Sequence, residues 1–188
     1  MSAQVQCKGN ELTTESAIHT LSTIVKNPSV GLPESVFTFI SSVTPLVNVD
    51  LLIKDETGRT LLSWRDDTYA GTGWHIPGGI VRFKETLETR VEKVAEQEIG
   101  IPLQYEPVPI AFHQAIYQER GIRGHFISFL FKCSLTKRFT PENDGLSPGE
   151  RGYLKWHDCC PSNLVPVHEF YREFITGADN GNHNCVER

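Results

Sequence analysis

The chain has 188 residues, a formal net charge of −5, an apolar share of 39% and a charged share of 22%. That length supports one domain with its own core. The acidic balance leaves no basic face for nucleic acid or an anionic membrane, and no apolar run approaches the roughly 20 residues of a membrane-spanning helix.

The five cysteines, Cys7, Cys133, Cys159, Cys160 and Cys185, are odd in number and fit no zinc or disulfide framework. Reduced thiols are expected. The start of the chain, Met1 to Cys7, lacks a basic patch followed by an apolar core, so no secretory signal and a cytoplasmic setting are expected.

In chain order, residues 1–14 are polar. Ala17, Ile18, Leu21, Ile24 and Val25 recur at helical spacing and predict a short amphipathic helix, ended at Asn27-Pro28. Pro33 and Glu34 open a second helix carrying Phe37, Ile40 and Val43, stopped by Pro45. Residues 46–53 are rich in β-formers and predict a strand. A turn at residues 55–58 and a returning strand over 59–65 complete a hairpin. A polar loop leads to a short strand at Trp74 to Pro77, the Gly78-Gly79 turn, and a continuing strand over Ile80 to Phe83.

A helix is predicted from Thr86 to Ile99, with Leu87, Val91, Val94, Ala95 and Ile99 on one face and Glu88, Glu92, Glu96 and Gln97 towards the other. Gly100 and Pro102 end it. Residues 108–115, 126–133 and 153–157 read as further strands, the middle one as the core strand. Residues 161–174 turn helical towards their end, and 180–185 read as a frayed tail. Strands before, between and after helices, with few βαβ repeats, indicate an α+β chain with a mixed sheet.

Chemistry concentrates between Trp74 and Ile101. Gly78-Gly79 lets the backbone approach a ligand closely. Glu98 lies on the last helical turn, where a carboxylate opposes the helix dipole unless a cation offsets it, and Mg²⁺ takes one or two carboxylates with phosphate oxygens and water. Glu85 and Lys93 lie about two helical turns apart, close enough to pair as scaffolding of the turn–helix junction. Asp50, inside an apolar strand, is expensive unless it faces solvent or has a partner, and Arg65 is a candidate partner or phosphate ligand.

The spacing of Gly79, Glu85, Ala95, Glu98, Gly100 and Ile101 resembles the Nudix box, with Lys93 on its Arg, Val94 on its first helix Glu and Gln97 on one of its paired Glu positions. Residues 32–53, 61–65, 74–79 and 85–100 further resemble the GDP-mannose mannosyl hydrolases, a Nudix branch that also lacks the full set of box glutamates. The resemblance spans about residues 32–158. It divides the chain into an N-terminal extension (1–31), a Nudix domain (32–176) and a polar tail (177–188).

The resemblance implies a Nudix fold, a mixed β-sheet sandwiched between α-helices. It implies Mg²⁺ held by Glu98, the Gly78 carbonyl and Glu150, and a homodimer. The substrate implied is a nucleotide-sugar, water attacking the sugar carbon while a metal-bound nucleoside diphosphate leaves. Arg65, Glu98 and Lys93 are then the expected catalytic residues. Asp50 and Arg65 fall on family positions near the substrate, and Arg82 and His125 are added to them as expected substrate-binding residues. Two positions depart. The family's general-base His is Arg151 here, and an arginine cannot accept the water proton. The Arg after Gly-Gly is Ile80, with Arg82 two residues on. Retaining sugar-carbon attack requires another base, with His125, His113 and Glu119 as candidates. The alternatives are a Nudix pyrophosphohydrolase cleaving a P–O bond, and a nucleotide-sugar-binding module without turnover.

Overall fold

The computed structural model describes residues 13–135 and 137–176. Helices α1 (Thr14–Ile24) and α2 (Glu34–Val43) precede strands β1 (Leu46–Lys54), β2 (Thr60–Asp67), β3 (Gly71–His75) and β4 (Gly78–Ile80). Helix α3 (Leu87–Val94) follows. Then come β5 (Gln104–Tyr105), β6 (Ala111–Ile116), β7 (His125–Ser134), β8 (Leu154–His157) and a short C-terminal helix, α4 (Arg172–Thr176). No helix among the described residues is long and apolar enough to cross a membrane.

The strands form one mixed sheet with β3, β2, β1, β7 and β5 side by side, while β4 pairs with β1, β6 with β7 and β8 with β2. β1 and β7 are parallel along their length, Leu46 opposite Phe126 and Lys54 opposite Ser134. β1 is buried on both faces, which explains its near-continuous apolar run. On one face Val49, Leu51 and Ile53 pack with Val91, Val94, Ala95 and Ile99 of the box helix. On the other Leu52, Leu62, Ile76 and Leu130 pack with Leu164, Tyr171 and Ile175. The sheet thus lies between α3 and the C-terminal segment, the α+β arrangement expected.

The C-terminal segment is tied down at both ends. Trp74 N–H donates to the Asn163 carbonyl at 3.0 Å, and Val165 N–H to the Trp74 carbonyl at 2.8 Å. A Cβ at Gly73 would fall 2.3 Å from that Asn163 oxygen, so only glycine permits this docking. At the other end Lys54 Nζ donates to the Ile175 carbonyl at 3.1 Å, and Thr60 Oγ1 donates to the same oxygen. Residues 166–171 between these ties form a 3-10 turn that carries His168 and Tyr171 beneath the sheet.

Four local differences from the sequence reading have physical causes. The strand expected after Gly-Gly begins on it, because Gly79 and Gly78 pair with Val49 and Asp50. The chain then closes a turn in which Glu85 N–H donates to the Arg82 carbonyl at 3.1 Å. The box helix ends in a π turn over Ala95–Ile99, where Gly100 N–H reaches the Ala95 carbonyl at 3.0 Å and Gly100 takes φ 81°. The two-residue strand β5 pairs with the end of β7 and is too short to show as a pattern. Cys159 is disulfide-bonded, so reduced thiols throughout do not hold there, although Cys133 and Cys160 are free. The predicted tail at 180–185 lies outside the described residues.

Candidate active site

A cleft of about 820 Å³ opens between α2, the Gly78-Gly79 strand and the start of β1. Asp50, Arg65, His75, Gly78, Arg90 and His168 line its polar side, and Leu32, Phe37 and Ile40 its apolar side. Arg65, Arg123 and His168 continue into a neighbouring recess that also holds Arg120, Tyr69 and Tyr117.

Asp50 forms the floor. It is 2% exposed and accepts a hydrogen bond from the Tyr171 hydroxyl at 2.7 Å. Burial pushes its carboxyl up to about 7, against the opposing pull of Tyr171, Ser128 and the Arg65 charge. The partner expected for it, Arg65, acts only at a distance, since its Nε pairs with Asp67 at 3.4 Å. Gly78 lies directly over Asp50. A Cβ there would fall 2.3 Å from Asp50 Oδ1 and 2.8 Å from the Val49 carbonyl oxygen.

The box glutamate Glu85 is structural. Its side chain is 3% exposed. Oε2 receives Arg90 Nη2 at 2.6 Å and the Arg82 N–H at 2.9 Å, and Oε1 receives Lys93 Nζ at 2.9 Å. Burial alone would raise this carboxyl, but these donors outweigh it and hold it at about 2. Lys93 is therefore engaged in the turn–helix clamp, as the scaffolding reading has it. Arg90, 4% exposed and paired with the same Glu85, was not singled out by sequence.

Glu98 leaves the π turn with its side chain 27% exposed, and its Oε2 lies 3.6 Å from Nε2 of His75. Sequence reasoning passed over His75. It is 4% exposed, and its Nδ1 lies 2.7 Å from the Ser63 carbonyl oxygen. A carbonyl only accepts, so Nδ1 carries a proton, and Nε2 is the ring nitrogen that faces Glu98. That nitrogen has no hydrogen-bond partner among the described residues. A buried, unpartnered ring nitrogen 3.6 Å from a carboxylate oxygen leaves a place where a cation can sit between them.

His168 was also missed. Its Nδ1 accepts the Ile76 N–H at 3.1 Å, which leaves the ring proton on Nε2. Burial, followed by His75 and Arg65, lowers its pKa well below the ordinary value, so it stays neutral. Arg123 is the third addition. Its guanidinium stacks 4.8 Å from the Tyr69 ring and 5.6 Å from Phe37, and its buried Nε is unpartnered among the described residues. Burial lowers its pKa, Asp67 opposes that shift and Arg65 adds to it.

Not every residue named from sequence comes to the cleft. Arg82 lines it, but its Nη1 donates to the Val30 carbonyl and its guanidinium lies against Gly31. His125 shares a 3.0 Å hydrogen bond with Gln114 on the neighbouring strand and does not line the cleft. Glu150 is exposed, and its Oε2 accepts the Ser147 N–H of its own turn at 2.5 Å. No group of three or more His, Cys, Asp or Glu side chains able to hold a metal occurs among the described residues. Arg151 is exposed, His113 stacks on Phe170 at 3.7 Å, and Glu119 is a 71% exposed partner of Arg120.

Comparison with known proteins points the same way. The family model of the NUDIX domain matches residues 44–176. The low-salt glycan biosynthesis protein Agl8 of Haloferax volcanii is 29% identical over 144 residues, 68% of this chain and 91% of that protein. Among solved structures, a MutT NUDIX hydrolase from Burkholderia pseudomallei superposes with a TM-score of 0.55 at 23% identity, covering 69% of this chain and 97% of its own. A NUDIX-family hydrolase from Clostridium perfringens gives 0.53 at 18% identity, covering 71% and 95%. These two likenesses bear on the fold.

Proposed function

The chain belongs to the Nudix hydrolase family, and from that premise we propose that it is a divalent-metal-dependent hydrolase of a nucleotide-sugar of GDP-mannose type, releasing sugar and nucleoside diphosphate. The observation that carries this reading is one cleft with two kinds of end. His75 and Gly78 line one side, with the Glu98 carboxylate 3.6 Å beyond the His75 ring, and Arg65 and Arg123 offer guanidinium groups on another. A diphosphate between two organic groups needs both, a cation and bidentate donors, within a volume of roughly 300–1,000 Å³. Leu32, Phe37 and Ile40 supply the apolar wall for the organic end. Similarity to a glycan biosynthesis protein favours a sugar-bearing nucleotide over a bare one.

The unpartnered Nε2 of His75 and the Glu98 carboxylate fit a cation, and Mg²⁺ is the ion the family resemblance implies. When bound, the cation neutralises charge growing on the leaving diphosphate. Arg65 binds phosphate oxygens, His168 holds an Nε2–H donor on the cleft wall, and Glu85 with Arg90 and Lys93 keeps the Gly-Gly turn in place. A homodimer belongs to the proposal, and sedimentation velocity checks it. So does a cytoplasmic setting, against which the disulfide at Cys159 weighs.

One observation favours attack on phosphorus as a second reading. Arg151, His113, His125 and Glu119 all stand outside the cleft lining, so none is at hand to activate water against the sugar carbon. Product analysis in ¹⁸O-water, with Mg²⁺ and a panel of nucleotide-sugars, separates the two. Label in the free sugar supports the proposal, label in a phosphate product supports the second reading, and tight binding without turnover leaves a binding module. Glu98→Gln is expected to lower kcat by about 10²-fold or more. Unchanged metal-dependent turnover in that variant would overturn the assignment of Glu98.

A further inference from the structure

His75 deepens the reading of the metal site, and its role as a ligand rests on that reading. The residue sits in β3 immediately before the Gly-Gly turn, and its ring is almost wholly buried. The Ser63 carbonyl, 2.7 Å from Nδ1, fixes a proton on that nitrogen. A ring N–H given to a backbone carbonyl is the usual support of a metal-bound imidazole, because it orients the ring and makes the other nitrogen a better donor. The other nitrogen is buried, without a hydrogen-bond partner, and 3.6 Å from Glu98 Oε2. Two ligand bonds of about 2.1 Å each span that separation with a bent angle at the ion. The π turn takes part in this arrangement, since Glu98 projects from the widened part of the helix.

We propose that His75 Nε2 and Glu98 Oε2 together ligate the activating cation, so that this chain prefers nitrogen-accepting divalent ions such as Mn²⁺, Co²⁺ and Zn²⁺ over Mg²⁺. Mg²⁺ favours an all-oxygen shell and gives up its water reluctantly, whereas imidazole suits the later first-row ions. A carboxylate and a backbone carbonyl alone would discriminate in the same direction but less strongly. The nitrogen ligand is what sharpens the selectivity. The competing account is a plain ion pair between a protonated His75 and Glu98, in which Nε2 carries a proton and has no lone pair for a metal.

Pulsed EPR of Mn²⁺ bound to the full chain distinguishes these accounts without using turnover. The expected spectrum shows modulation from a directly bound ¹⁴N in the wild type and none in His75→Phe. Competition titrations read by free Mn²⁺ should then show Co²⁺ and Zn²⁺ displacing Mn²⁺ from the wild type at concentrations at least about tenfold below those needed with Mg²⁺. In His75→Phe the affinity for Mn²⁺, Co²⁺ and Zn²⁺ should fall by at least about tenfold while that for Mg²⁺ changes little. The wild-type spectrum stands even where the variant fails to fold. Mn²⁺ that binds through Glu98, is lost in Glu98→Gln and shows no nitrogen coupling would overturn the role of His75 and leave the metal-dependent reading intact. Absence of any Mn²⁺ binding by the wild type would sink both.

Discussion

At the scale of single residues, the site depends on what one atom excludes. The ideal Cβ of residue 78 meets Asp50 Oδ1 at 2.3 Å and the Val49 carbonyl at 2.8 Å. The first neighbour is a buried side chain held by Tyr171, and the second is backbone of the central strand. Neither yields cheaply. Gly78→Ala is therefore expected to cost about 1–3 kcal/mol, the usual range for overpacking. Thermal melting checks this, and an unchanged Tm would show that β1 and β4 slide apart more freely than the register implies. Sequence reasoning found Gly78 and Glu98 because both sit at fixed offsets in one continuous motif. It missed His75, His168 and Arg123 because their significance lies in partners from other elements: Glu98 in the helix, Ile76 in the turn, Tyr69 in a loop. It placed His125 with the site as a substrate-binding residue and candidate base, and Glu150 by family position. Their side chains are bonded to Gln114 and to the Ser147 N–H instead.

At the scale of elements, the turn from Arg82 to Thr86 and the helix α3 behave as one unit joined by Glu85. The periodicity of Leu87, Val91, Val94 and Ala95 made the helix and its buried face legible, and the cap at Thr86, which accepts the Thr89 N–H, fixes its start. The π turn was not legible, since the apolar spacing continues through it unchanged. The clamp has a pH consequence. Glu85 titrates at about 2 in the folded chain against an ordinary 4.5. A depressed carboxyl stabilises the fold above the unfolded value and loses that contribution as pH falls through the folded one. The stabilisation is of order 3 kcal/mol, present above about pH 4.5 and lost towards pH 2. Glu85→Gln leaves the buried Arg90 without its counter-charge and should lower stability at pH 7 by about 3–5 kcal/mol. Urea melts at several pH values should also show a flatter acid limb in the variant. An acid limb as steep as the wild type's would assign the acid sensitivity to another carboxylate.

At the scale of the whole molecule, the cleft is assembled around β1 and β2 from distant parts of the chain. The box supplies the turn, the C-terminal segment supplies His168 and, through Tyr171, a hydrogen bond to Asp50, and residues 28–40 close the open side. The first was legible as a motif and residues 32–40 as part of the family leader, while the C-terminal segment read only as a helix. The N-terminal wall is held lightly. Ser29 Oγ donates to the Phe83 carbonyl at 3.1 Å, Arg82 donates to the Val30 carbonyl, and Arg123 N–H reaches the Ser41 carbonyl at 3.2 Å. Helix α1, which precedes this wall, has no buried residue and leaves Ile18 and Ile24 more than half exposed, so it adds little anchoring. Arg82→Ala removes one of the few ties between this wall and the box without touching the sheet. Amide exchange should then quicken at Val30 and Gly31, whose N–H groups bond within the 3-10 turn over Pro28–Val30, and stay slow in β1 and β7. Equal exchange in wild type and variant would mean that α2 and Phe37, not Arg82, hold the wall closed. A uniform rise through β1 would mean that the turn itself has failed.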